Sequence, residues 1–235
     1  MEKILSLITE AQNKALEEKT KHKDILKEML EKELDKASGP DGFTAIFYQK
    51  CWVVIKGDLW RMVNCMNWKG KVKGATNSSF MSLIPKEKYP STFNSFRPIS
   101  LCNVSYKIIT KILANRIKDL LHGLISSNQG GFITGRQILE NIILIQEAIH
   151  WSIQRKEKGM IIKIDMANTF DRANHSFLLK VLRKFGFSDP FIRWIQACIQ
   201  NPWISPLINE RLGPHFSPSR EGSGRDALSP PSFMS

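Results

Sequence analysis

Apolar positions recur at helical spacing from the start of the chain. Ile4, Leu5, Ile8, Ala11, Ala15 and Leu16 form one set, and Ile25, Leu26, Met29, Leu30 and Leu34 a second. Lys19-Thr-Lys-His-Lys23 between them is wholly polar, so the spacing predicts two helices or one interrupted helix, an amphipathic packing element. Ala37-Ser-Gly-Pro-Asp-Gly42 then reads as a turn. Residues 43–70 return to helical spacing (Phe43, Phe47, Trp52, Ile55, Leu59, Met62) and close at Gly70 and Gly74. Residues 79–84 read as a strand stopped by Pro85, followed by a polar, proline-containing loop to Phe96 and Arg97-Pro98. Residues 101–124 carry Ile108, Ile109, Ile112, Leu113, Ile117, Leu120 and Leu121, a helix with a basic outer face.

Asn128-Gln-Gly-Gly-Phe132 is a loop, residues 138–153 a helix with an apolar stripe, and residues 160–166 a strand of buried type. Residues 174–185 and 190–200 read as helices on either side of Gly186-Phe-Ser-Asp189. Beyond about residue 213, Pro214, Pro218, Pro230 and Pro231 among Ser and Gly favour loop or disorder. Helices alternating with a few short, mostly hairpin-type strands predict an α+β fold.

Composition changes this picture in one respect. The 235 residues carry a net charge of +12, and the excess is uneven. Residues 1–36 hold eight Lys against nine Asp and Glu, so the remainder carries +13. Such a surface favours a polyanionic partner, although many basic proteins bind membranes instead. Cys51, Cys65, Cys102 and Cys198 lie far apart without a C-x-x-C pair or zinc-finger spacing, which reads as buried or idle thiols in a reducing compartment. No signal-peptide core opens the chain and no apolar run reaches the ~20 residues of a membrane span. An intracellular protein, nuclear or cytoplasmic, is expected.

The densest chemistry lies in Met160-Ile-Ile-Lys-Ile-Asp-Met-Ala-Asn-Thr-Phe-Asp171. A short apolar strand delivers the carboxylate of Asp165, and the ring of Phe170 follows. Nucleotidyl transfer needs two metal ions held by carboxylates from different strands, and Asp165 suits one such ligand. The plain alternative is a solvated or capping carboxylate. Phe170 could exclude a ribose 2′-hydroxyl, or it could be core packing. Asp171, on the same segment, fits a capping or structural role. Lys86 follows a proline and Arg97 precedes one, so both cations sit on constrained backbone, suited to triphosphate oxygens or merely solvated. Lys107, Lys111, Arg116 and Lys118 could follow a nucleic-acid backbone or form a solvated face.

Five ordered blocks together resemble the reverse transcriptase domain of plant LINE-type (non-LTR) retrotransposons. They are Lys36-Ala-Ser-Gly-Pro-Asp-Gly-Phe43, Phe96-Arg-Pro-Ile-Ser-Leu-Cys-Asn-Val-Ser-Tyr-Lys107, Leu113-Ala-Asn-Arg116, Asn128-Gln-Gly-Gly-Phe-Ile-Thr-Gly-Arg136, and Lys163-Ile-Asp-Met with Phe170-Asp-Arg172. The resemblance implies right-hand polymerase fingers and a partial palm, helix-rich with a few short antiparallel strands. It implies RNA-templated DNA synthesis from an RNA template, a DNA primer and deoxynucleotide triphosphates, with Mg²⁺. It makes Asp165 the first catalytic and metal-binding carboxylate, Phe170 the sugar gate, and Lys86 and Arg97 triphosphate contacts.

The departures are specific. The family's Gly-Leu-Arg-Gln-Gly-Asp-Pro-Leu-Ser-Pro is met here by Glu221-Gly-Ser-Gly-Arg-Asp-Ala-Leu-Ser-Pro230, and the Tyr-Ala-Asp-Asp hairpin with the second catalytic carboxylates is absent. The expected organisation is a helical segment over 1–36, a fingers-like part over 37–159 and a truncated partial palm over 160–235, inactive by itself. The alternative is a non-catalytic basic module that binds RNA or DNA.

Overall fold

The computed structural model describes residues 7–32, 34, 36–70, 72, 74–156, 158–164, 174–200, 202–209 and 211–217. They gather into two compact units, one within 1–114 and 174–235 and the other within 115–173.

The first unit opens with α1 (Glu10–Leu16) and α2 (His22–Leu30), so the polar stretch between the two apolar sets does separate two helices. Thr9 starts α1 through a capping box with Gln12, satisfying backbone donors that would otherwise lack partners. Ile25 and Met29 on α2 are fully buried, and Leu16 nearly so. This segment is tied down at both ends by polar contacts. The Trp60 indole donates to the Thr20 carbonyl at 2.9 Å, and the Asn13 amide donates to Gly186 O at 2.8 Å while accepting from Ser188 N at 2.9 Å.

Helices α3 (Ala45–Lys50) and α4 (Trp52–Lys69) follow, and α4 stops at Gly70, whose φ of 60° provides the left-handed cap. Strand β1 (Ser78–Pro85) pairs antiparallel with β2 (Phe96–Cys102). Helix α5 (Val104–Lys118) then turns its buried Ile108, Ile109, Ile112 and Leu113 into the core. It begins three residues later than its apolar spacing alone predicts, because residues 96–102 are strand. Further along the chain, α8 (His175–Phe185) and α9 (Asp189–Ile199) bury Leu179, Phe191, Ile192 and Trp194, and the described helices that fall between α5 and α8 in sequence belong to the second unit.

Strand β3 (Trp203–Ile208) lies parallel to β1, and the short β4 (Arg211–Leu212) pairs antiparallel with β3, giving the order β2-β1-β3-β4. The α+β reading holds, with one parallel pair in an otherwise antiparallel sheet. Between α5 and α9, the Tyr106 hydroxyl donates to Cys198 O at 2.7 Å, and burial pushes the Cys198 thiol up to about 12. All four cysteines are free.

The second unit holds α6 (Leu121–Leu124) and α7 (Ile138–Gln154). Arg136 organises the loop between them by donating to Gln129 O at 2.9 Å and Ile125 O at 3.2 Å. Residues 160–164 correct the expectation of a buried strand. They join no ladder among the described residues, and Met160, Ile161, Ile162 and Ile164 are exposed. A strand of this apolar type needs a paired neighbour and two covered faces, and the described sheet supplies neither.

Candidate functional site

The β1–β2 hairpin sets the position of two of the cations singled out from sequence. Its register places Ile84 opposite Arg97 and Pro85 opposite Phe96. Lys86 directly follows Pro85, so it stands at the same end of the hairpin as Arg97. Both residues are exposed. Lys86 is anchored through its backbone N–H to Ser95 O at 2.8 Å, and its ammonium donates to Asn94 O, also at 2.8 Å. Pro85 ends the strand and Pro98 sits two pairs in from its end, so the backbone carrying both cations is stiff.

The far end of the hairpin is fixed by a residue that the sequence did not single out by itself. Asn103, fully buried, accepts from Asp41 N at 3.1 Å and donates to Ala75 O at 2.8 Å and Thr76 O at 3.3 Å. It thereby joins the Gly39-Pro-Asp-Gly42 turn, the approach to β1 and the start of α5. Its backbone oxygen takes the Lys107 N–H at 3.0 Å. Asp41 in turn caps its own turn by accepting from Phe43 N at 3.0 Å. The only available signal was the position of Asn103 directly after a strand and before a helix, where a side chain able both to donate and to accept is useful.

Of the helix cations, Lys107 and Lys111 lie one turn apart on α5, half-buried and exposed respectively. A third lysine, Lys32, joins them from the end of α2. Burial lowers its pKa first, then repulsion from Lys111; Glu28 partly offsets this, and Lys107 lowers it further. The N-terminal segment, net acidic overall, thus contributes a lysine to a basic cluster. Arg116 and Lys118 occupy the last turn of α5, where positive charge complements the helix dipole.

Asp165 and Phe170 lie outside the described residues, as do Asp171 and the divergent stretch at 221–230. Among the described residues, no group of three or more His, Cys, Asp or Glu side chains comes together. No described helix is long and apolar enough to cross a membrane.

Hairpin, α5 and the loop at 128–136 all fall within or beside the stretch that known proteins share. The family described as "Reverse transcriptase (RNA-dependent DNA polymerase)" matches residues 84–222, more than half of the chain. The chain is 30% identical over 197 residues to the Pol polyprotein of retrotransposable element R2 from Nasonia vitripennis, covering 83% of this chain and 18% of that protein. It is 27% identical over 178 residues to the 149 kDa protein of transposon TX1 from Xenopus laevis, 76% of this chain and 14% of that protein. The R2DM polyprotein of Drosophila melanogaster is 24% identical over 197 residues, again with 18% of its length covered. The chain belongs to the reverse transcriptase family, as a reverse transcriptase domain of the non-LTR retrotransposon kind. It spans less than a fifth of the length of these relatives. The family implies nucleic-acid template and primer, deoxynucleotides and Mg²⁺. No described donor set fits the metal, so Mg²⁺ attaches to this chain through the family alone.

Proposed function

We propose that this chain is the fingers and first palm part of an RNA-directed DNA polymerase, with Lys86 and Arg97 gripping the triphosphate of the incoming deoxynucleotide. The observation that supports this reading is that Lys86, directly after β1, and Arg97, second residue of β2, stand at the same end of the β1–β2 hairpin, each next to a proline and inside the family match. Arg97 supplies a planar fork for two phosphate oxygens and Lys86 a point charge, so each has a different part in the same grip. In this reading residues 37–159 serve as fingers and 160–235 as the start of the palm. Asp165 is the first catalytic carboxylate and Phe170 the gate against ribose. Lys107, Lys111, Arg116 and Lys118 follow the template backbone. The five ordered blocks taken together favour a plant LINE-type source.

Primer extension tests it, using this chain joined to the remaining palm and thumb of an R2-type relative. Arg97→Ala and Lys86→Ala should each raise the KM for deoxynucleotide about tenfold or more, an expectation from the strength of charge-assisted bonds. Asp165→Asn should abolish extension, and Phe170→Ala should admit ribonucleotides. An unchanged deoxynucleotide KM in both cation variants would remove the triphosphate assignment. Residues 1–235 by themselves should not extend a primer, because a two-metal site needs carboxylates converging from separate strands and Asp165 is the one that the family motif supplies here. Incorporation above an Asp165→Asn control would overturn that.

The lysine cluster favours a second reading, a basic module that binds RNA without catalysis. Burial, and then the positive charge of Lys111 and Lys107, disfavours the charged form of Lys32, and a phosphate chain beside it would offset that.

A further inference from the structure

Between the hairpin strands, residues 86–95 read Lys-Glu-Lys-Tyr-Pro-Ser-Thr-Phe-Asn-Ser. Two large rings on this short loop face solvent: Tyr89 is 80% exposed and Phe93 72%. An isolated exposed ring needs no explanation, but two on one loop, bracketed by Lys86, Lys88 and Arg97, form a pattern with a chemical meaning. Neither ring dangles. The neck of the loop is closed by Lys86 N donating to Ser95 O at 2.8 Å, and the Lys86 ammonium holds Asn94 O at 2.8 Å. Phe93 opens a single 3₁₀ turn (Phe93–Ser95), closed by Ser95 N donating to Thr92 O at 3.0 Å. Pro90 directly follows Tyr89, and the Lys88 ammonium stands 5.5 Å from the centre of the Tyr89 ring. A cation there polarises the ring and adds charge beside it without covering both faces.

We propose that Tyr89 and Phe93 are a stacking platform for unpaired bases of a single-stranded nucleic acid, whose phosphates are met by Lys88. The proposal rests on the nucleic-acid-binding reading of this chain and adds a specific preference for unpaired strands. Every base has a π-face, so rings of this kind bind without reading sequence, and interleaved lysines track the backbone. A base pair within a duplex presents only its edges, so the rings discriminate single strands from double. Because the loop is already closed, little ordering entropy is lost on binding. An anionic membrane surface would also attract aromatic and basic side chains. The loop, however, contains no Leu, Ile, Val or Met to enter the acyl region, and its other positions are Glu, Ser, Thr, Asn and Pro.

The test is fluorescence anisotropy of the full chain with a labelled 12-nucleotide RNA, its blunt duplex, and, separately, phosphatidylserine vesicles, over a range of salt. Tyr89→Ala combined with Phe93→Ala should weaken single-strand binding about tenfold or more, with the salt slope unchanged and duplex binding unmoved. Lys88→Ala should do the reverse, lowering the salt slope. Tyr89→Phe with Phe93→Tyr keeps both rings and should keep wild-type affinity. Equal single-strand affinity in wild type and the double alanine variant overturns the platform while leaving nucleic-acid binding intact. So does a loss in the ring-preserving pair. Vesicle binding that disappears in the double alanine variant while RNA binding persists makes the loop a membrane contact and overturns it too. Failure of the wild-type chain to bind any nucleic acid at low salt would instead remove the underlying reading.

Discussion

Asn103 and Gly39 show how much of this fold hangs on single atoms. A Cβ on Gly39 would run into the backbone and side chain of Asn103, so the turn can approach the hairpin only because residue 39 lacks one. Asn103 then uses its amide on both sides, accepting from Asp41 N and donating to Ala75 O and Thr76 O. Asn103→Ala leaves these part-buried backbone groups without that partner, which should cost about 1 kcal/mol. Gly39→Ala forces backbone to move and should cost about as much by overpacking. Urea denaturation of the two variants checks both. A shift within error of wild type for Asn103→Ala would mean that water replaces the amide, and that Asn103 is not the tie between turn and hairpin. The double variant should fall short of the sum, because the residues share one contact.

At the scale of elements, the helices were legible and most of the sheet was not. The apolar sets at 25–34, 108–121 and 174–199 stand at a 3.6-residue period, and most of each falls in α2, α5, or α8 and α9, with Met29, Ile108 and Phe191 turned inward while Leu30 and Phe177 face solvent. Strand β2 was hidden by Pro98, which argues against an interior strand. It is tolerated because β2 is the edge of the sheet, where a missing N–H breaks no outer ladder. Strand β3 contains Pro206, and β4 has two residues, too few for any period. The Lys86–Arg97 pair was therefore visible as two constrained cations, but the register joining them was not. Lys32 was invisible for another reason: nothing in a sequence says that its ammonium lies within the field of Lys111 and Lys107.

Its environment yields a prediction about α2 and α5. The folded state disfavours the charged form of Lys32 through burial and through Lys111 and Lys107. The unfolded chain then holds that proton more tightly, so the folded state gains stability as pH rises through the lowered pKa towards 10.5. Lys32→Gln should accordingly raise the Tm at neutral pH by a small amount and flatten the alkaline rise. It should also weaken RNA binding and its salt dependence, the usual exchange of stability for a binding surface. A lower Tm with unchanged RNA affinity would show that Lys32 is held by favourable contacts and takes no part in a cluster.

At the scale of the whole chain, charge and packing assign opposite weights to the N-terminal segment. Residues 1–36 carry net −1 while the rest carries +13, so by charge alone their removal should leave polyanion binding untouched or stronger. Packing says otherwise. Ile8, Leu16, Ile25 and Met29 are all buried, and Asn13 and Thr20 tie the segment to the α8–α9 corner and to α4. Burying each such side chain contributes about 1.5–3 kcal/mol, so the four together rival the whole net stability of a domain, about 5–15 kcal/mol. Removing the segment would also uncover the apolar surface of α4 that it shields, and would take Lys32 out of the basic cluster. The expectation is that residues 37–235 alone lose the cooperative thermal transition of the full chain and aggregate. Adding residues 1–36 as a separate peptide should partly restore a soluble fold. A 37–235 fragment that stays monomeric, melts cooperatively near the full-chain Tm and binds RNA as tightly would show that charge, not packing, describes what this segment contributes.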